Sequence, residues 1–343
     1  MPMTRIYLIR HAEAEGNLYR LAHGQYNSTV TPRGYRQLAA LRKRFREIPV
    51  DAVYGSDLLR THITASAIYG PKGLPFRPLP LLREISLGAW EEKTWGELQR
   101  LDPQMLVDFN RRPHLWQVEG AETFAAVRDR MVRAVRQIIA ENPGKTVVAT
   151  SHGSALRTLT GTLRGLTLEE IGLESGHCDN TGVTLLEAEG AEDIRIVFQD
   201  DTAHLSDSLS TLRRQNWHKK PALSGEPGLW YQITADGPAG RDQRAMLEER
   251  EAGAIHMALE PDALRITRYE IVPDCRGMGL GTQLMGQAVQ YARHQGREKI
   301  VLTCGGDTEA FFAQFGFVTV GRSGENRDME MDIRLVIREI AEE

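Results

Sequence analysis

The chain has 343 residues, 41% of them apolar and 26% charged, which suits two domains with their own cores and does not resemble a disordered segment. A net charge of −4 gives no basis for nucleic acid or an anionic membrane as partner, and no apolar run is long enough to span a bilayer. The scattered Cys178, Cys275 and Cys304 form no C-x-x-C pair, and the apolar stretch at residues 6–9 is too short for a signal peptide. These features point to reduced thiols and a cytoplasmic protein. They leave the oligomeric state open.

In chain order, residues 5–9 read as a strand, and Thr31-Pro32 opens a helix whose Leu38, Leu41, Phe45 and Ile48 recur on one face. Residues 50–54 read as a second strand. Ser56 is placed to cap a helix over 57–68, and 70–82 reads as a loop. Thr123 starts a long helix striped with Phe124, Val127, Met131, Val135 and Ile138. A strand at 146–150 and a helix at 154–163 follow, then a capping box at Thr167 and Glu170 and two late strands at 183–187 and 194–198. Strands alternating with helices imply a mainly parallel sheet covered on both faces. The pattern breaks at a polar segment carrying Arg213, Arg214, Lys219 and Lys220, which reads as a solvated linker with a helical trace at 209–212. Beyond it come strands at 230–233, 254–259 and 264–272, with a charged, helix-like stretch at 242–251. A glycine-rich turn leads into a helix at 282–294, then a strand at 299–304, a short helix at 309–315, and strands at 317–320 and 329–335. The expected division is a first domain over 1–207, a linker over 208–228 and a smaller second domain over 229–343.

Four fragments of the first part carry chemistry. Arg10-His11 closes the first strand, Arg60 sits near a helix start, Glu84 follows the loop, and Ser151-His152-Gly153 follows a later strand. In a parallel sheet the ends of those strands open on one edge, where ligands bind. A neutral imidazole can attack phosphorus and carry the phosphoryl group. Arginines can hold its oxygens by charge-assisted bonds worth roughly 1.5–3 kcal/mol each. A carboxyl group can protonate the departing alkoxide, contributing about 10²–10⁴ in rate. No carboxylate cluster of metal-binding type is visible, and no cofactor is expected for this chemistry.

This constellation resembles the histidine phosphatase superfamily, the phosphoglycerate mutase-like fold. Arg10, His11 and Asn17 match its opening motif; Ser56, Leu58, Arg60, Thr64 and Ala65 match a second; Leu82, Glu84, Gly88, Trp90 and Glu91 a third; Ser151, His152 and Gly153 the last. The resemblance covers residues 1 to about 205. It implies a three-layer α/β/α domain with His11 as nucleophile, Glu84 as proton donor and then base, and Arg10, Arg60 and His152 as the phosphate pocket, assisted by Asn17. Ala12 stands where glycine is typical and Ala14 where threonine is common. Hydrolysis of a small phosphorylated metabolite is the expected reaction; phosphoglycerate-mutase-type transfer is the alternative. Arg111 and Arg112 are candidate contacts for a substrate carboxylate or second phosphate. His62, His114 and His177 have no such context and read as structural.

In the second part, Arg276-Gly277-Met278-Gly279-Leu280-Gly281 joins a strand to a helix, where glycines and the helix N-terminus form an anion nest. With Phe311-Phe312 and Gly316-Phe317 downstream, this order resembles the GNAT N-acetyltransferases, which implies a mixed α+β domain. It also implies an acetyl-CoA pyrophosphate on Arg276, Gly277, Gly279, Gly281 and Thr282, with the pantetheine arm along the strand ending in Ile271-Val272. Phe312 replaces the tyrosine often used to protonate the CoA thiolate. Glu270 reads either as a general base acting through water or as a surface charge. Two readings stay open: an acetyltransferase acting on a small amine or peptide amine, or a non-catalytic acyl-CoA-binding regulatory module.

Overall fold

The computed structural model describes residues 2–174, 176–215 and 228–341. The first domain runs β1 (Thr4–Arg10), α1 (Glu15–Tyr19), α2 (Pro32–Arg44), β2 (Ala52–Gly55), α3 (Leu59–Lys72), β3 (Phe76–Pro78) and α4 (Trp95–Leu101). It continues through α5 (Pro103–Arg111), α6 (Phe124–Glu141), β4 (Thr146–Ser151), α7 (Gly153–Leu163), α8 (Leu168–Glu174), β5 (Val183–Gly190) and β6 (Asp193–Asp201). Its strands make one sheet in the order β3-β2-β4-β1-β5-β6, parallel from β3 to β1 and antiparallel beyond. Both faces are buried, as the near-continuous apolar strands require. Ile6, Leu8, Val147 and Ala149 pack with Met131, Val135 and Leu159 on one side. Ile9, Val53 and Val148 pack with Leu38, Leu41 and Ile63 on the other.

Local signals explain most helix starts. Thr31 Oγ1 accepts from Gly34 N at 3.0 Å with Pro32 in the first turn, and Thr123 Oγ1 accepts from Ala126 N at 3.2 Å. The Thr167–Glu170 capping box forms as expected. Ser56 departs from expectation. It does not cap α3, whose N-cap position is Leu58; its hydroxyl instead lies 2.9 Å from His152 Nε2 and accepts from Leu58 N at 3.3 Å. Nor is 70–82 wholly loop: α3 runs to Lys72, and β3 pairs in parallel with β2. A three-residue edge strand ending in Pro78 is too short to show periodicity.

The expected linker begins as a fastened segment. Ser210 caps the short α9 (Thr211–Arg214), and its hydroxyl also donates to Asp179. Gln37 Nε2 donates to Leu209 O at 2.8 Å and Thr211 Oγ1 at 3.0 Å. The rest of the expected linker, residues 216–227 with Lys219 and Lys220, lies outside the described residues.

The second domain is a seven-stranded sheet of β7 (Leu229–Gly237), β8 (Gly240–Leu247), β9 (Arg250–Leu259), β10 (Ala263–Ile271), β11 (Lys299–Gly305), β12 (Val318–Ser323) and β13 (Asn326–Asp332), in the order β12-β13-β11-β10-β9-β8-β7. Helices α10 (Leu280–His294) and α11 (Glu309–Ala313) connect its later strands. The helix expected at 242–251 is instead the β8–β9 hairpin, turning at Glu248-Glu249. Its residues are good helix formers, but Gln243 and Ala245 alternate as buried positions with exposed Arg244, and cross-strand pairing overrides propensity.

The two domains share packing. Tyr19 and Leu21 of the first domain belong to the same buried cluster as Leu264, Leu284, Met285 and Phe315 of the second. Arg293, in the last turn of α10, makes a bidentate pair with Glu15 at 2.6 and 2.8 Å, their side chains only 11% and 9% exposed. Gln290 Nε2 donates to Glu92 O at 2.8 Å, and the Arg100 guanidinium lies 4.3 Å over the Trp230 ring. Among the described residues, no helix is long and apolar enough to cross a membrane. At Gly286 a Cβ would stand 2.6 Å from Tyr19 Cβ, so α10 approaches α1 at backbone distance. Gly286→Leu is therefore expected to lower the stability of the whole chain by about 1–3 kcal/mol, as overpacking does. Urea unfolding followed by tryptophan fluorescence reads this as a shifted midpoint; an unchanged midpoint would mean the interface yields without cost.

Candidate functional sites in the two domains

The first site is built by strand register. In the parallel pair β1–β4, Arg10 lies opposite Ser151, so His11 and His152 each follow the end of neighbouring strands. His11 N donates to Ser151 O at 2.9 Å, and the two imidazoles sit with ring centroids 5.3 Å apart. His11 is buried, and its Nδ1 lies 2.8 Å from Ala12 O. A carbonyl only accepts, so Nδ1 carries the proton and Nε2 keeps its lone pair. Burial, then the Arg60 and Arg10 charges, hold His11 well below the usual histidine range, so the ring is neutral. His152 is fully buried, with Nε2 2.9 Å from Ser56 Oγ. Burial, then Arg60, also pushes its pKa well down.

The cations are anchored by main-chain carbonyls. Arg60 donates to Tyr26 O at 3.0 Å and Gly24 O at 2.8 Å; Arg10 donates to Cys178 O. Three buried atoms around His11 have no hydrogen-bond partner among the described residues: Arg10 Nε, Arg60 Nε and His152 Nδ1. With Nε2 accepting from the Ser56 hydroxyl, the neutral His152 carries its proton on Nδ1 and is a donor like the two arginine Nε atoms. Buried donors are rarely left unpaired, and an oxyanion suits all three. Glu84 lies across the site, its carboxylate accepting from Ile85 N, Ala155 N and Ser154 N at 3.0, 2.9 and 3.1 Å. Asn17 Oδ1 accepts from Ala14 N at 3.1 Å and from Asn180 Nδ2 at 3.3 Å, and Asn180 Nδ2 also donates to His11 O at 2.8 Å. Ala12 and Ala14 take no left-handed backbone conformation, so their methyl groups cause no strain.

Arg10, His11, Asn17, Arg60 and Glu84 line one cavity of about 130 Å³, which Leu21, Ile85, Leu87, Trp95 and Phe109 close with an apolar wall. Arg111 and Arg112 do not line it. Both are exposed, and Arg112 pairs with Asp108 one helical turn back at 2.6 Å, so the role expected of them has no support in their position. His177, expected to be structural, is exposed and lines the cavity. His23 also lines it, its Nε2 accepting from Gly16 N at 2.7 Å.

The second site is a gap in a sheet. β10 pairs with β11 only from Ala263 to Ile266, and a bulge between Ile266 and Arg268 then turns β10 away. A cleft of about 710 Å³ opens there, lined by Glu270, Ile271, Arg276, Gly277, Gly279, Gly281, Thr282 and Phe312, among others. Gly277 and Gly279 have φ of +75° and +81°, and a Cβ on either would meet nothing within 4 Å. They bare the backbone at the start of α10, whose first turn has no side-chain cap. That donor set fits a pyrophosphate, and the open strand edge fits an extended amide-bearing arm. Val272, expected along that arm, is not in the lining; its N–H donates to Ala252 O at 3.0 Å. Glu270 is paired with the Arg268 guanidinium on a half-exposed surface. Phe312 is buried, with Tyr269 edge-on at 5.6 Å, and the Tyr269 hydroxyl donates to Gly281 O. Cys304, partly exposed, and Cys275, fully buried, both line the cleft.

Residues 6–201 match the Histidine phosphatase superfamily (branch 1). The chain belongs to that superfamily. Residues 208–317 match the Acetyltransferase (GNAT) family, so a histidine phosphatase domain is fused to a GNAT domain. The phosphatase domain is 27% identical over 205 residues to "Phosphoserine phosphatase 1" of Hydrogenobacter thermophilus, covering 60% of this chain and 96% of that protein. It is 30% identical over 215 residues to "Probable phosphoglycerate mutase GpmB" of Yersinia pestis, covering 62% of this chain and all of that one (100%). Among solved structures, YhfR of Bacillus stearothermophilus superposes with a TM-score of 0.57 at 31% identity, over 59% of this chain and 100% of its own.

Sequence reading missed several residues of the phosphatase site. Asn180, which braces the His11 carbonyl, lies in an unremarkable loop before β5, and nothing in its spacing singles it out. Arg130 was legible in principle, as an arginine on the apolar stripe of α6 beside Val127, Met131 and Ala134. Among the described residues, no group of three or more His, Cys, Asp or Glu is placed to hold a metal ion.

The two buried histidines predict acid sensitivity. Their folded-state pKa values lie below the ordinary 6.5, so below that pH the unfolded chain binds protons that the folded chain refuses. Stability present above pH 6.5 is lost as pH falls, by up to about 1.4 kcal/mol per pH unit for each histidine. Calorimetry from about pH 7.5 to about pH 5.5 is expected to show a falling Tm, shallower in His11→Gln/His152→Gln; equal slopes would contradict it.

Proposed function

We propose that the phosphatase domain hydrolyses a small phosphomonoester through a phosphohistidine on His11. The observation that carries this is a neutral His11, its proton held on Nδ1 by Ala12 O, set among the unpaired donors of Arg10, Arg60 and His152. In the first step the Nε2 lone pair attacks phosphorus, the P–O ester bond breaks, and Glu84 gives its proton to the departing alkoxide oxygen. In the second, Glu84 takes a proton from water, whose oxygen attacks phosphorus; the P–N bond breaks and its electron pair returns to Nε2. Arg10, Arg60, His152 and Asn17 hold the non-bridging oxygens in both steps.

Hydrolysis rather than mutase transfer is supported by the cavity walls. Arg111 and Arg112 lie outside the lining, and Leu21, Ile85, Leu87, Trp95 and Phe109 give much of the wall an apolar face beside Arg20, His23 and Asn110. A substrate with a compact, partly apolar body fits that wall. Free phosphate is expected from an aryl phosphate, with His11→Ala lowering kcat by at least about 10³. Phosphoserine joins the first screen because relatives carry that name, and because a phosphorylated amine offers a group to each domain. Rapid isomerisation of phosphoglycerate without phosphate release would overturn the hydrolytic reading.

For the GNAT domain, which we delimit at 229–343 after a 208–228 connection and a phosphatase domain of 1–207, we propose acetyl transfer to an amine. Arg276, Gly277, Gly279, Gly281 and Thr282 hold the cofactor's pyrophosphate and Ile271 flanks its arm; acetyl-CoA, when bound, supplies the acyl thioester. Phe312 offers no proton to the departing thiolate, which leaves adequately near neutral pH. Glu270 can serve as base through water only by loosening its pair with Arg268.

A specific observation favours a second reading, that acyl-CoA occupancy regulates the phosphatase. Helix α10 starts at the cofactor loop and carries in its last turn Arg293, which holds Glu15 four residues after His11. Acetyl transfer to a panel of polyamines, amino sugars and peptides, assayed beside phosphatase kcat/KM with and without acetyl-CoA, separates them. Turnover of an amine with unchanged phosphatase kinetics supports the enzyme. CoA binding without turnover, together with a changed kcat/KM, supports the regulatory module.

A further inference from the structure

Helix α6 carries a buried arginine that the reaction as derived does not use. Arg130 is 9% exposed, and each of its side-chain nitrogens is engaged. Nη1 donates to Leu81 O at 2.8 Å and Arg83 O at 2.6 Å; Nη2 donates to Glu84 O at 3.0 Å. Nε and Nη2 also reach the two carboxylate oxygens of Glu122, at 2.7 and 2.9 Å, so the buried charge is balanced. One guanidinium thus grips three carbonyls of the irregular stretch that presents Glu84. That stretch needs an external clamp, because residues 83–87 lie between two single-turn 3₁₀ segments and belong to no strand. Side-chain N–H groups are a direct way to satisfy buried carbonyls outside regular structure.

We propose that Arg130 is a positioning residue for proton transfer in the phosphatase site, acting through Glu84. Glu84 is held at both ends. Its carboxylate rests on Ile85 N, Ser154 N and Ala155 N, and its carbonyl on Arg130 and on Gln25 Nε2 at 3.1 Å. The carboxylate bonds alone leave the main chain free to swing about the side chain. The carbonyl clamp fixes that main chain, and with it the distance between the carboxyl oxygens and the ester oxygen beside His11. The guanidinium fork matters here, because a lysine ammonium cannot span carbonyls 81, 83 and 84 and a carboxylate at once. Glu122 completes the device by orienting the fork. Loss of either partner would loosen Glu84 without touching Arg10, Arg60 or His11.

This inference rests on Glu84 being the proton carrier, and the experiment tells the two apart. The variants Arg130→Lys, Glu122→Gln and Glu84→Gln are compared with the unsubstituted protein on a series of substituted phenyl phosphates. kcat/KM is plotted against the pKa of the leaving phenol. Good leaving groups depart without a proton and poor ones do not, so the slope reports proton donation alone. Wild type is expected to show a shallow slope and Glu84→Gln a steep one. Arg130→Lys is expected to follow Glu84→Gln, losing about 10–100-fold on the poorest leaving group and less than about threefold on the best. Its dissociation constant for inorganic phosphate, measured by calorimetry, should stay within about threefold of wild type. Glu122→Gln should show a smaller change of the same kind.

A shallow slope in Arg130→Lys beside a steep one in Glu84→Gln would overturn the role given to Arg130. So would an equal loss on every ester accompanied by weaker phosphate binding, the mark of a merely structural residue. A shallow slope in Glu84→Gln would instead remove the proton-carrier role on which the inference stands. Should Arg130→Lys not fold, Glu122→Gln carries the test, and an unchanged slope there would count against the proposal.

Discussion

The parallel pairing of β1 with β4 is the constraint on which the phosphatase site depends. Placing Arg10 opposite Ser151 brings two histidines, 141 positions apart in the chain (11 and 152), to the same sheet edge. A slip of one residue would turn a strand's side chains to the opposite face, separating the imidazoles and mismatching the side chains fitted to each of the two buried faces. The register is held because both faces are buried, by different helices. Everything else at the site is fitted to that edge: α3 delivers Arg60 from β2, the 80–90 loop delivers Glu84, and the turn before β5 delivers Asn180 beneath His11.

A second consequence concerns the fusion. Tyr19 and Leu21 lie in the core of the GNAT domain, while Asn17, Arg20 and Leu21 line the phosphatase cavity. The same short stretch therefore has one face in each domain. The Glu15–Arg293 pair sits in that stretch, and losing one partner of a buried pair costs about 3–5 kcal/mol because the other charge is stranded. The GNAT domain forms part of the wall behind the phosphatase site, rather than a module on a free tether. The segment through Ser210 and Thr211 reinforces this by holding Asp179, next to Asn180.

Much of this was legible in the sequence, for identifiable reasons. His11, Arg60 and His152 sit beside strand ends and helix starts whose patterns are strong, so their convergence follows once the sheet is parallel. Glu84, in an irregular stretch, was legible only through the family motif around it. The glycine turn at 276–281 was legible because positive φ demands glycine. What escaped depended on distant partners. Ser56 looked like a helix cap from its residue type, but α3 starts only at Leu59 and the Ser56 hydroxyl also meets the distant His152. The β8–β9 hairpin looked helical because its residues favour helix in isolation, and only pairing across β7 and β9 decides otherwise. Arg111 and Arg112 looked like substrate contacts from their charge, yet the turn of α5 that carries them points them to solvent and to Asp108. The linker looked solvated by composition, but its first residues are polar because they bond to Gln37, Asp179 and Glu13.

The account as a whole stands on His11 attacking through Nε2 while Ala12 O retains the proton on Nδ1. Rapid quenching during turnover, followed by ³¹P NMR of the denatured protein, identifies the phosphorylated atom directly. A phosphoramidate on His11 Nε2, stable in base and labile in acid, is the predicted result. Phosphate on Nδ1, on another residue, or on no residue during demonstrable turnover would contradict it.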